Sequence, residues 1–167
     1  NFKTDAKRLL SKDTKATDKY IVEFLDVGLS QADYLTQIDA RGAHGFKLIN
    51  DTHGHAVGDK VLIEVAKRLQ DTARKTDCVA RIGGDEFVVI VTDIENQVQI
   101  NRALSRLICA IKAPIKSEYG DLHVEASVGF ALYPDDAQSF DELLSMADKR
   151  MYDQKHHCFS CNVMNCK

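Results

Sequence analysis

A chain of 167 residues, 44% hydrophobic and 28% charged with only 2 prolines, has the size and mix of one ordinary globular domain able to bury its own core. Its formal net charge of -3 argues against nonspecific nucleic-acid binding, so any phosphate site must be local. No run of about 18 uncharged apolar residues offers a membrane span, and "NFKTDAKRLLSKDTKATDK" lacks the apolar centre of a secretory signal, which points to a cytoplasmic domain without membrane contact.

Residues 1–19 are charged and helix-compatible and read as a lead-in from an upstream region. Tyr34 to Asp39, "YLTQID", is a short apolar-leaning run that stops at an acid and a glycine-containing loop, as a strand does. After "NDTHGHAVGD" the apolar positions Val61, Leu62, Val65, Ala66 and Leu69 recur at helical spacing, with Asp59 where an acid favours a helix N-terminus. Cys78 to Ile82 and Phe87 to Val91 are strand-like runs joined by Gly83, Gly84, Asp85 and Glu86, a four-residue hairpin loop whose glycines are free to take positive φ. Ile100, Leu104, Leu107, Ile108 and Ile111 mark a second amphipathic helix. "LHVEASVGFALYP" reads as a strand closed by Pro134, and Phe140, Leu143, Leu144, Ala147 and Met151 mark a last helix. Strands with hairpins and helical crossovers imply an α+β fold, a mixed, mostly antiparallel sheet flanked by helices in the manner of a ferredoxin-like palm. Residues 20–157 would form that domain and 158–167 a tail. Five cysteines suggest no paired framework: Cys78 and Cys109 are expected as buried thiols, while Cys158, Cys161 and Cys166 crowd the tail.

Asp85 and Glu86, two carboxylates at a hairpin tip beside glycines with no side chain to obstruct a ligand, suit a hard cation that bridges phosphate oxygens. On these residues alone an ordinary solvated turn competes with that reading. Lys47 offers a phosphate cation, and Asn50 and Asp59 could read a base edge. A carboxylate accepts from the adjacent ring and exocyclic N–H donors of guanine, which adenine does not present, and would be left unpaired by the wrong base. Capping of a turn and of the following helix explains Asn50 and Asp59 equally well. Taken alone, Arg74 and Asp77 in "RKTD" are an exposed helix-end charge pair.

Four blocks, "FKLINDTHGHAVGD", "RKTDCVARIGGDEFVVIV", "ASVGFALYP" and "ADKRMYDQK", together resemble the GGDEF domain of diguanylate cyclases in order and spacing, over residues 34–155. The resemblance implies a palm like that of nucleotidyl cyclases and polymerases, and a reaction in which two GTP molecules condense to cyclic dimeric GMP with loss of two pyrophosphates. It also implies magnesium or manganese as cofactor, a homodimer with one GTP per domain, cyclic dimeric GMP as product inhibitor and an upstream sensory or regulatory domain. By motif position Asn50 and Asp59 match the guanine-binding pair, with Phe46, Gly83 and Gly84 beside the substrate. Lys47 and Lys155 match phosphate-binding lysines, Asp85 the acid that binds metal and takes the 3′-hydroxyl proton, and Glu86 its neighbour in the metal cluster. Arg74 and Asp77 match the product-inhibition motif upstream of the glycine pair.

The chain departs from that pattern in three places. An acid-x-acid pair just before the Phe-Lys is interrupted here by "IDARGAHGFK". Counting back without a gap puts Gly42 at the ligand position and His44 at the second acid, whereas an insertion puts Asp39 there with Ala40 beside it. Because Ile38 and Asp39 end a strand-like run, Asp39 and Ala40 are the expected metal position and His44 a loop residue. The family's N-terminal Asp-x-Leu-Thr-Gly-Leu-Pro-Asn-Arg block is not recognisable in "KDTKATDKYIVEFLDVG", and its Gly-Arg-Asn ending gives way to "HHCFSCNVMNCK", with Phe159 nearest the Arg. These departures set a second reading beside the cyclase, a GTP or cyclic dimeric GMP binding module without turnover. His156, His157, Cys158, Cys161 and Cys166 include a Cys-x2-Cys spacing that zinc uses, but a structural zinc site takes two separated ligand pairs, so a frayed terminus is the expectation.

Overall fold

Phe87 to Val91 is apolar at every position, which is the pattern of a strand with no wet face, and the computed structural model buries all five residues. Residues 20–29 and 46–157 are described; the expected lead-in, the strand at Tyr34 to Asp39 and the tail at 158–167 lie outside them. In chain order the elements are β1 (Tyr20–Leu29), α1 (Phe46–His53), α2 (His55–Thr72), β2 (Cys78–Gly83), β3 (Glu86–Val91), α3 (Gln97–Lys112), β4 (Ile115–Ser117), β5 (Gly120–Leu122), β6 (Val124–Tyr133) and α4 (Phe140–His157). Four strands form one sheet in the order β2-β3-β1-β6, antiparallel at every described pairing, while β4 and β5 make a separate small hairpin. The architecture is the α+β palm that the strand and helix order implies.

Alternation along β3 divides the core in two. Phe87, Val89 and Val91 pack with Ile49 of α1, Val61, Val65 and Leu69 of α2, and Leu107 and Ile111 of α3. Val88 and Ile90 face the other way, into Phe140, Leu143, Ala147 and Met151 of α4. The three apolar stripes read from the sequence are thus the buried faces of α2, α3 and α4, each large side chain contributing about 1.5–3 kcal/mol on burial. Strand β6 passes so close beneath α4 that a Cβ at Gly129 would collide with the Ala147 carbonyl and reach 2.5 Å from the Met151 nitrogen.

The N-termini of α3 and α4 are closed by side chains of the expected residue types. The Asn96 side chain accepts from the Gln99 N–H at 3.1 Å to cap α3, and the Ser139 hydroxyl accepts from the Glu142 N–H at 3.3 Å and donates to the Glu142 carboxylate at 2.7 Å at the start of α4. At the far end of α3 the Arg68 guanidinium, held by Glu64 at 2.8 Å, donates to the carbonyls of Ala110, Ile111, Ala113 and Pro114.

Several expectations need correction. Tyr20–Leu29, given no element from the sequence, is a central strand between β3 and β6. Phe46–His53, likewise given no element from the sequence, is a helix. Asp59 does not mark the start of α2, which opens four residues earlier at His55 behind Gly54, with no acid in its first turn. The hairpin loop is tighter than the expected four residues, since Gly83 and Glu86 already pair and only Gly84 and Asp85 turn. Neither hairpin glycine takes positive φ; Gly54 and Gly120 do. Cys78 and Cys109 are half-buried rather than buried, and Cys109 is disulfide-bonded.

The loop after β6 is tied to α4 by a bidentate pair: Arg150 donates to both carboxylate oxygens of Asp136, at 2.6 and 2.8 Å, and to the Phe130 carbonyl at 2.9 Å. Asp136 also accepts from the Leu132 N–H at 2.8 Å. The Arg150 hydrogen bond, opposed by burial, holds the Asp136 carboxyl below its ordinary value of 3.8. A depressed carboxyl pKa stabilises the fold above the unfolded value, and that contribution disappears as pH falls through the folded one. Urea unfolding of wild type and Asp136→Asn should therefore differ most at neutral pH, and the difference should shrink below pH 3.8; a pH-independent difference would contradict this.

Candidate functional site

Gly54 breaks the chain direction between α1 and α2 with φ 84°, a left-handed conformation that glycine takes at no steric cost. Its N–H still donates to the Asn50 carbonyl at 2.9 Å, and its own carbonyl accepts from Val57 and Gly58 at 3.1 and 3.2 Å, so the two helices are joined without a loop. Where they cross, Gly58 is buried, and a Cβ there would collide with Asn50 Oδ1 and lie 2.9 Å from Phe46 Cζ. The absence of a side chain at Gly58 is what lets the Asn50 carboxamide lie against α2, one residue from Asp59. Asn50 is half-buried and Asp59 exposed, and among the described residues neither side chain makes a hydrogen bond or ion pair. Among the described residues neither side chain serves the capping role considered for it, and both residues stand at the helix crossing. Lys47 is exposed on α1, and Phe46 packs against the core under Gly58.

At the other element of the site, the β2–β3 hairpin carries Gly83, Gly84, Asp85 and Glu86 at its tip. Asp85 and Glu86 are half-buried, and Glu86 Oε2 lies 3.2 Å from where a Gly83 Cβ would stand. A Cβ at Gly84 would meet nothing within 4 Å, so the tip is open on that side. Beside the tip, the main chain of Asp26 in β1 stands opposite Glu86 on one side and Ser127 of β6 on the other. Asp39 and Ala40 lie outside the described residues, as does the side chain of Lys155. Sequence reasoning missed Asp26, although "IVEFLDVG" carries the same signal that drew attention to Asp39, an apolar run ending at an acid. Among the residues whose side chains are described, which do not include Asp26, no three His, Cys, Asp or Glu gather as a metal cluster.

Arg74 and Asp77 sit at the opposite end of β2, about 20 Å from the tip at roughly 3.3 Å per strand residue. Their side chains are differently employed. Asp77 has a fully buried carboxylate that accepts from the Arg74 N–H at 2.8 Å and the Thr92 N–H at 3.3 Å, and lies 3.6 Å from Arg106 Nη2 of α3. Arg74 is exposed, and among the described residues its guanidinium makes no hydrogen bond or ion pair.

The family model described as diguanylate cyclase, GGDEF domain, matches residues 30–161. The chain belongs to the GGDEF family. Its relatives include the bifunctional diguanylate cyclase/cyclic di-GMP phosphodiesterase MucR of Pseudomonas aeruginosa, 38% identical over 126 residues, which make up 72% of this chain and 18% of MucR. Another is the diguanylate cyclase TpbB of the same species, 40% identical over 108 residues, 64% of this chain and 25% of TpbB. The crystal structure of the TpbB GGDEF domain superposes with a TM-score of 0.76 at 33% identity, covering 93% of this chain and 87% of that one. The match thus spans a quarter or less of each of these two relatives.

In this GGDEF domain the helix crossing rests on an absent Cβ, and that is open to test. Gly58→Ala should cost about 1–3 kcal/mol in urea unfolding, the usual range for overpacking. Adding Asn50→Ala should recover part of the loss, because the two side chains compete for one space; strictly additive effects would contradict the close approach.

Proposed function

We propose that this domain condenses two GTP molecules into cyclic dimeric GMP with release of two pyrophosphates, as a homodimer in which each copy holds one GTP. The observation that carries the reading is the placement of Asn50 and Asp59 at the helix crossing, neither with a side-chain hydrogen-bond partner among the described residues, in a chain that also keeps both acids of the hairpin tip. Asp59 accepts from the guanine ring and exocyclic N–H groups and Asn50 completes the base edge; adenine lacks those donors and would leave the carboxylate unpaired against it. Lys47, joined by Lys155, faces the phosphates.

Asp85 takes the 3′-hydroxyl proton, and the freed oxygen bonds to the α-phosphorus of the GTP on the other copy as the bond to the bridging oxygen breaks and pyrophosphate leaves. The reciprocal step on the other copy closes the ring. Holding the two reactants in line supplies much of the rate, and no covalent bond to the protein is needed. Two adjacent carboxylates completed by phosphate oxygens and water form a donor set that magnesium or manganese accepts, and when bound the ion neutralises phosphate charge. Asp26 joins Asp85 and Glu86 as the third acid, since its main chain stands beside the tip. Upstream sensory input, of the sort longer relatives have room for, would control the meeting of two copies. No helix among the described residues is long and apolar enough to cross a membrane.

Incubation of the purified chain with GTP and magnesium, followed by chromatography, should yield the cyclic dinucleotide; GTP binding without product at high protein concentration would instead establish a nucleotide-binding module. Asp26→Asn should lower turnover about 100-fold or more while Asp39→Asn leaves it near wild type, a contrast set by loss of one metal carboxylate. The reverse pattern would move the ligand to Asp39.

Product inhibition is assigned to Arg74, whose exposed guanidinium, with no partner among the described residues, suits bidentate binding of phosphate or of the guanine Hoogsteen edge. Asp77 supports it from within the turn. Arg74→Ala should abolish inhibition by added cyclic dimeric GMP with little change in melting temperature, and persistent inhibition in that variant would overturn the assignment.

A further inference from the structure

The ladder between β2 and β3 is interrupted just before the tip. Arg81 pairs with Phe87 and Gly83 with Glu86, so the register shifts across Ile82. Over that gap the Arg81 Nε–H donates to the Gly84 carbonyl at 2.8 Å. Arg81 shares a register position with Phe87, on the sheet face that α1 and α2 cover, because Phe87, Ile49 and Val57 belong to one cluster. It is exposed, and among the described residues its terminal nitrogens make no hydrogen bond or ion pair.

We propose that Arg81 is a positioning residue for the condensation: its Nε–H holds the Gly84 carbonyl where the ladder fails and so fixes the peptide that leads into Asp85. The proposal rests on the cyclase reading for its kinetic consequence only. Glycines at positions 83 and 84 leave the tip open to a ligand but give it no steric restraint of its own. A peptide unit is planar, so a carbonyl pinned at Gly84 also sets the direction of the Asp85 N–H and limits where the Asp85 side chain starts. Without the clamp the peptide that leads into the general base loses one of its restraints, and a misplacement of about 1 Å is enough to cost about 100-fold in rate. Substrate contacts elsewhere, at Asn50, Asp59 and Lys47, are untouched by that movement. The burden therefore falls on turnover and not on binding.

The test compares wild type with Arg81→Ala and Arg81→Lys, reading kcat and KM for GTP together with backbone amide order parameters at Gly84. Both variants should lose about tenfold or more in kcat with KM nearly unchanged. The Gly84 order parameter should fall from the rigid range near about 0.85 toward about 0.6. Lysine keeps the charge but carries no Nε at that place, so recovery of kcat by Arg81→Lys would show that charge is what counts and overturn the clamp. A rise in KM at constant kcat, or a Gly84 amide as rigid in both variants as in wild type, would do the same. Should wild type itself make no product, the cyclase reading fails, and the order parameters alone still decide whether Arg81 holds the tip.

Discussion

Strand β3 has no face that water can reach. Phe87, Val89 and Val91 belong to the cluster under α1, α2 and α3, while Val88 and Ile90 belong to the cluster under α4. A slip of one residue would exchange the two sets between cores of different shape, so the register of β3 against β1 and β2 is strongly specified. Everything that matters at the tip inherits that register. Glu86 begins the strand, Gly83 pairs with it from β2, and Asp26 stands opposite it in β1. The acids are mounted on the end of the best-buried segment of the molecule, which is the placement a site needing sub-ångström geometry calls for.

The remaining parts of the site are held by local devices of a different kind. At the helix crossing the device is subtraction: without a Cβ at Gly58, α2 comes close enough for Asn50 to rest on it. At the far end of the hairpin it is a buried carboxylate, Asp77, that gathers the N–H groups of Arg74 and Thr92 and faces Arg106 of α3. A two-residue charge motif is in this way divided between the fold and the solvent, with Asp77 serving the turn and Arg74 left outward. Because β2 runs directly from that turn to the tip, the two ends of the hairpin share one strand.

Helices α2, α3 and α4 and the hairpin were legible in the sequence because each carries an unbroken pattern: a 3.6-residue apolar stripe or a run of consecutive apolar residues. Strand β1 was not, since Glu23 and Asp26 interrupt its apolar run and its partners, β3 and β6, lie far along the chain. Helix α1 was hidden by its brevity and by the polar "NDTH" at its end, which reads as a turn on composition. The candidate residues at the crossing and the tip were nameable from type and spacing, but not what each one does. That Asn50 and Asp59 have no side-chain partner among the described residues, that Asp77 is buried, and that the tip glycines do not take positive φ are facts of three-dimensional packing.

Among the described residues β2 lies at one edge of the sheet, and an edge strand is ordinarily an invitation for another chain to add itself by main-chain pairing. This edge is a poor template. It is only six residues long, its regular ladder breaks beside Ile82, and it carries an exposed arginine close to its end. Short length, a bulge and charge are the features by which natural sheets refuse strand-on-strand growth. Copies of the domain that come together are thereby steered away from fusing their sheets into a fibre-like ribbon.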